Sequence, residues 1–192
     1  FIQFTMAHPY YAGFVKFLVL ATMGEFLAIR IASGQWSFPP GMIWRAVIWG
    51  IIGMGIALMF ECYANGTKVA LEKGLLPGYG APYVLAFFIS LLMNSTFAPV
   101  FMAAHRISDT FLDLKYDDGC TNRIVTFKQV LEKINWSDFI SFVVCRTVPF
   151  FWIPAHTVTF LLPPEYRVLM AAFLGIALGG ILAFAKKRTA KM

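Results

Sequence analysis

Apolar residues in this chain neither alternate with polar ones at the period of a strand nor keep to one face of a helix. They fill five long stretches almost without interruption, at residues 10–32, 42–64, 82–104, 136–160 and 166–185. A helix of roughly 20 residues rising 1.5 Å per residue crosses the ~30 Å hydrocarbon core of a bilayer. Helices that are apolar all round must be surrounded by protein or lipid, and so short a chain has too little polar sequence to enclose five of them. The pattern predicts an all-α, polytopic membrane helix bundle of five hydrophobic helices forming one integral membrane domain over residues 1–192. Composition agrees: 59% of residues are hydrophobic and 14% charged, against about 25% charged in soluble domains. Trp36, Trp44, Trp136 and Tyr166 fall at span ends, where amphipathic rings settle at headgroup level.

Hydropathy alone leaves a four-span alternative, because the fourth stretch contains Arg146, Pro149 and Pro154. Charge placement favours five. With five crossings, one side carries Arg30, Arg45, Arg106, Lys115, Arg123, Lys128, Lys133, Lys186, Lys187, Arg188 and Lys191, eleven cations, against Lys68, Lys73 and Arg167, three, on the other. That is the positive-inside bias, and it puts the C-terminus on the cytoplasmic or matrix side. The net charge of +6 is thereby read as a topology signal, and no nucleic-acid partner is expected. The partner is the lipid bilayer, with a homo-oligomer as a further option. Cys62, Cys120 and Cys145 form no CxxC or paired framework and are read as thiols without a structural role.

Small residues suggest which helix faces meet. Ala171, Gly175, Gly179 and Ala183 recur every four residues in the last span, Ala46, Gly50, Gly53 and Ala57 line one face of the second, and Ala21, Gly24, Ala28 and Ala32 one face of the first. Such strips let backbones approach closely, so Gly50, Gly53, Gly175 and Gly179 are the expected packing positions within the bundle. In the long connection, Phe127, Val130, Leu131 and Ile134 fall at i, i+3, i+4 and i+7, predicting a short amphipathic interfacial helix. Asp117-Asp118-Gly119 before it reads as a turn with too few oxygen ligands for calcium.

Candidate chemistry resides in polar groups at membrane depth, where an uncompensated charge costs about 2.5–3.5 kcal/mol. Glu25, Asn94, Arg146, His156 and Thr159 are the polar or pore-lining candidates. Lys16 lies on the opposite side of its helix from Glu25 and is expected to snorkel to the near interface, leaving Arg146 as the expected partner of Glu25. Asn94, Ala98, Phe101, His105 and Asp109 share a helical stripe that could line a polar path or simply end a solvated helix. Pro99, Pro149 and Pro154 remove backbone donors inside spans and free carbonyls that need other partners. His8, His105 and His156 lack metal-ligand spacing, and no phosphate-cradling glycine loop or GxSxG is present; no enzyme activity, metal or cofactor is expected.

An ordered set of short motifs resembles the family of small integral proteins that includes the twenty-two-kilodalton peroxisomal membrane protein and the mitochondrial inner-membrane protein linked to mitochondrial DNA depletion. It consists of Pro9, Gly24-Glu25, Arg45, Gly50, Gly55 and Tyr63, then Leu91 to Pro99, and most specifically Trp152-Ile153-Pro154-Ala155-His156-Thr157-Val158-Thr159-Phe160 followed by Pro164 and Arg167. Glu25 stands where the family has Asp, and His156 and Thr159 stand where it has Gln and Asn. The resemblance implies a multi-helix membrane protein, often described with four spans, with pore-forming activity toward small solutes. It leaves a bacterial plasma membrane and an organelle membrane, mitochondrial inner or peroxisomal, both open. The terminal Ala190-Lys191-Met192 does not form a Ser-Lys-Leu address.

Overall fold

A computed structural model describes residues 1–116 and 124–189, with side chains as far as residue 184. The turn expected at Asp117-Asp118-Gly119, together with Cys120, lies outside the described residues. The chain is all-α: α1 (Ile2–Ala7), α2 (Pro9–Ser33), α3 (Met42–Glu72), α4 (Pro82–Tyr116), α5 (Phe127–Lys133), α6 (Trp136–Asp138), a π-helical segment (Phe139–Trp152), α7 (Ile153–Leu161) and α8 (Pro164–Thr189). Five stretches are long and apolar enough to cross a membrane: Pro9–Ser33, Met42–Glu72, Pro82–Tyr116, Trp136–Leu161 and Pro164–Phe184. Large apolar side chains along them, such as Ile43, Val100 and Phe150, stand 71–81% exposed, which only a hydrocarbon solvent makes favourable. The protein is an integral membrane protein.

Two helices outrun the spans read from hydropathy. α3 continues to Glu72 and α4 to Tyr116. At 1.5 Å per residue α4 is roughly 52 Å long, so it extends well beyond the hydrocarbon core at one or both ends. Its C-terminal part stays helical because the backbone still satisfies itself, and Thr110 Oγ1 adds a bond to Arg106 O (2.8 Å).

The described residues form two compact units, residues 1–57 with 168–189, and residues 58–116 with 124–167. In the first, α2 and α3 run antiparallel and touch backbone to backbone. A Cβ on Gly13 would fall 2.6 Å from Gly53 O, and one on Gly53 would collide with Gly13 O; one on Gly50 would lie 2.6 Å from Phe14 Cδ2. Phe17 stacks on Trp49, centroids 6.4 Å apart, next to this crossing. At the N-terminus α1 folds over α2, and Lys16, 9% exposed, reaches back to Thr5 Oγ1 (3.1 Å) and over the Phe1 ring (4.6 Å). Lys16 thus points toward the near end of the helix as a snorkelling side chain does, but ends on protein groups. Gly34 ends α2 in the left-handed conformation (φ 80°), its N–H bonded to Arg30 O. The chain then turns so that Phe38 meets Phe26 edge-on at 5.4 Å.

The contact between α2 and α8 corrects the sequence reading. Gly175 and Gly179 do not pack on a neighbouring helix: a Cβ on either would meet nothing within 4 Å. The inward stripe is instead Ala172, Ile176 and Gly180. Ala172 is 1% exposed, a Cβ on Gly24 would stand 3.1 Å from Ile176 Cγ1, and one on Gly180 3.8 Å from Ile31 Cδ1. Smooth strips permit close approach but do not require it, and Ile176 fits the notch at Gly24. Because Gly24 meets Ile176 and Ile31 meets Gly180, α8 runs parallel to α2. The first and fifth of five successive crossings must be parallel, whereas a flat fourth segment would make α8 antiparallel to α2.

In the second unit, α3 from Leu58 onward packs on α7 through Phe60 and Phe160, whose centroids are 4.9 Å apart, and α4 packs on α7 around Ser90. α5 begins with a capping box, in which Thr126 N donates to Gln129 Oε1 (2.9 Å) and Gln129 N to Thr126 Oγ1 (3.4 Å). Val130 and Ile134 carry its buried face, while Phe127 is 64% exposed. The fourth span is wound as a π-helix from Phe139 to Trp152, with Ile153 N donating to Val148 O. Pro149 sits inside it, without an N–H to give and with a ring that would clash with an α-helical carbonyl; the wider winding accommodates both. Arg167 closes the far end of α7, donating from Nε to Leu162 O (3.0 Å) and from a terminal nitrogen to Phe160 O (3.2 Å).

Candidate functional site

Asn94 and His156 come together inside the second unit, and Thr159 lies buried on the same helix as His156. Asn94 lies on α4 and is fully buried, as are Ser90 one turn earlier and Thr159 on α7. Asn94 Nδ2 donates to Ser90 O (2.8 Å) and stands 3.2 Å from Ser90 Oγ, so its Oδ1 is turned to His156 Nδ1 at 3.2 Å. With that orientation Nδ1 is the donor to Asn94 Oδ1. Ser90 Oγ donates to Ile153 O on α7 (2.7 Å), and Thr159 Oγ1 to Ala155 O (3.0 Å). The polar groups of α4 and α7 thereby satisfy one another where no water would do so in lipid.

The network has an unsatisfied end. His156 is clamped between Phe60, edge-on at 5.8 Å, and Trp152, stacked at 5.2 Å with rings 29° apart. Trp152 Nε1 is buried and has no hydrogen-bond partner among the described residues. An unpaired donor therefore stands beside the imidazole of His156, in an aromatic stack at membrane depth. Such a group costs roughly 1–3 kcal/mol if kept dry.

The other two polar candidates are elsewhere. Glu25, on α2 in the first unit, accepts from Trp49 Nε1 on α3 (2.7 Å). Arg146, in the second unit, takes an exposed position on the π-helical segment. There it lines a groove of about 640 Å³ with Arg106, Lys133 and Asp138, apart from the Asn94–His156 pair. His105 and Asp109 form an i, i+4 pair (3.3 Å) on the part of α4 beyond the polar network. Sequence reasoning missed Ser90, Trp152 and Trp49. Ser90 and Trp152 each stand four residues before a recognised polar residue, on the same helix face, which is the signal that could have found them.

Fold and site together define a polytopic α-helical membrane protein with a buried Ser90–Asn94–His156 network joining its third and fourth spans. No protein-family model, curated protein or solved structure matches the chain. Among the described residues no group of three or more His, Cys, Asp or Glu could hold a metal ion.

Proposed function

We propose that this is a non-enzymatic permeation protein for small polar solutes or ions, with the Asn94–His156 pair as its closed constriction. The observation that carries the reading is the unpartnered Trp152 Nε1 beside the imidazole of His156. A network serving only to lock helices together gains by satisfying every polar atom, whereas one on a hydrated path leaves donors and acceptors for water or a solute. The π-helical winding next to it supports the same reading, since such segments recur where a helix is shaped for function. The motif resemblance to a family with pore-forming activity points the same way.

A second reading, a structural subunit without transport activity, is favoured by the complete burial of Ser90, Asn94 and Thr159. Water access separates the two. With Cys62, Cys120 and Cys145 replaced by serine, His156→Cys is expected to react with a small membrane-impermeant thiol reagent in proteoliposomes, while Phe150→Cys, at a position 81% exposed toward lipid, is not. Equal lack of reaction at both positions would favour the structural subunit.

A further inference from the structure

The groove around Arg146 has a chemistry of its own. α4 contributes Arg106, the end of α5 contributes Lys133, and the π-helical segment contributes Arg146, so three cations from three elements face one half-open space of about 640 Å³. The carboxylates nearby do not neutralise them. Asp138 accepts from Asn135 Nδ2 (2.7 Å), Glu132 is the ion-pair partner of Lys128 (3.8 Å), and none of the three cations has an ion pair with a described residue. Among the described lining residues Asp138 is the one acid, which leaves the lining a formal charge of +2. One wall is apolar: Phe142 lines the groove and is 41% exposed. The groove lies by the start of the fourth span, where Trp136, its Nε1 bonded to Leu131 O (3.0 Å), marks the headgroup level on the cation-rich side.

We propose that this groove binds the phosphodiester headgroup of an anionic membrane lipid. Two guanidiniums offer forked donors that match phosphate oxygens, the ammonium adds a third charge, and Phe142 provides a surface for the glycerol and upper acyl chain. Basic pockets between membrane helices on the cytoplasmic or matrix side have the charge and depth to hold such headgroups. A bound phosphodiester also gives Arg146, a charge on a membrane span, the counter-ion that the described side chains do not supply. The inference does not depend on permeation, since it uses none of the residues of the Asn94–His156 network.

The test uses purified full-length protein in neutral detergent, with thermal unfolding followed during titration with phosphatidylglycerol, phosphatidylcholine or inorganic phosphate. Phosphatidylglycerol is expected to raise the unfolding temperature saturably and the other two not. The double substitution Arg106→Gln, Arg146→Gln should raise the half-saturating lipid concentration at least tenfold, and Lys68→Gln, outside the groove, should leave it unchanged. A shift produced equally by phosphatidylcholine, or reproduced by inorganic phosphate, would overturn the assignment to an anionic lipid, as would an unchanged titration in the double variant. Should that variant fail to fold, native mass spectrometry of the unaltered protein decides. From an equimolar mixture it should retain phosphatidylglycerol over phosphatidylcholine, and equal retention would refute the site.

Discussion

Gly53→Ala is expected to cost about 1–3 kcal/mol and to lower the yield of folded protein, with Gly13→Ala behaving alike. At this crossing a single methyl group from either residue meets the other's backbone oxygen, and a carbonyl cannot rotate aside as a side-chain tip can. The two helices would have to part, losing the Phe17–Trp49 stack and weakening the bond from Trp49 to Glu25. Gly175→Leu and Gly179→Leu provide the contrast. Both face open space, so each should stay within about 0.5 kcal/mol of the unaltered protein. Thermal unfolding in detergent checks all four, and equal damage from the two pairs would show that the helix faces are wrongly assigned.

The second large effect concerns the network between α4 and α7. Asn94→Ala removes the acceptor of His156 Nδ1 and the donor to Ser90 O. Interhelical hydrogen bonds in membranes are worth about 0.6 kcal/mol on average and up to about 1.7. Destabilising a closed constriction by that amount shifts the open fraction, and hence solute flux, by roughly three- to eighteen-fold upward. His156→Ala should act in the same direction, and the double variant should show less than the product of the two single effects, because both remove one shared bond. Reduced folded yield with no rise in flux per folded molecule would indicate a structural lock instead.

Much of the fold was legible because lipid imposes a simple rule: a span must be apolar all round and long enough. What lies beyond lipid was less visible. α4 runs to Tyr116 since a helix needs no hydrophobicity to continue into water, and hydropathy registers only its immersed part. The π-helical winding of the fourth span was hidden as well; Pro149 signals a missing donor but not how the backbone absorbs it. Small-residue spacing alone did not single out the contact faces. Gly13 has no small partner four residues on, yet makes the closest approach, while Gly175 and Gly179 have the spacing and face open space.

The site was legible as a set of residues more than as an arrangement. Asn94, His156 and Thr159 stand out as polar groups at depth, and they lie in one unit. Glu25 accepts an indole N–H from Trp49, a contact that charge complementarity does not point to. Tryptophan reads as an apolar residue in a sequence this rich in aromatics, and its single donor becomes visible only once the helices are paired. Arg146 lines one groove with Arg106 and Lys133, a grouping of like charges from three elements that sequence spacing does not reveal.

The most direct measurement is conductance and small-solute flux of the purified, unaltered protein reconstituted into planar bilayers and liposomes. A permeation protein closed at Asn94–His156 predicts low but reproducible flux above protein-free membranes, rising in the Asn94→Ala variant. Flux indistinguishable from protein-free membranes in both proteins, with folding intact, would contradict it.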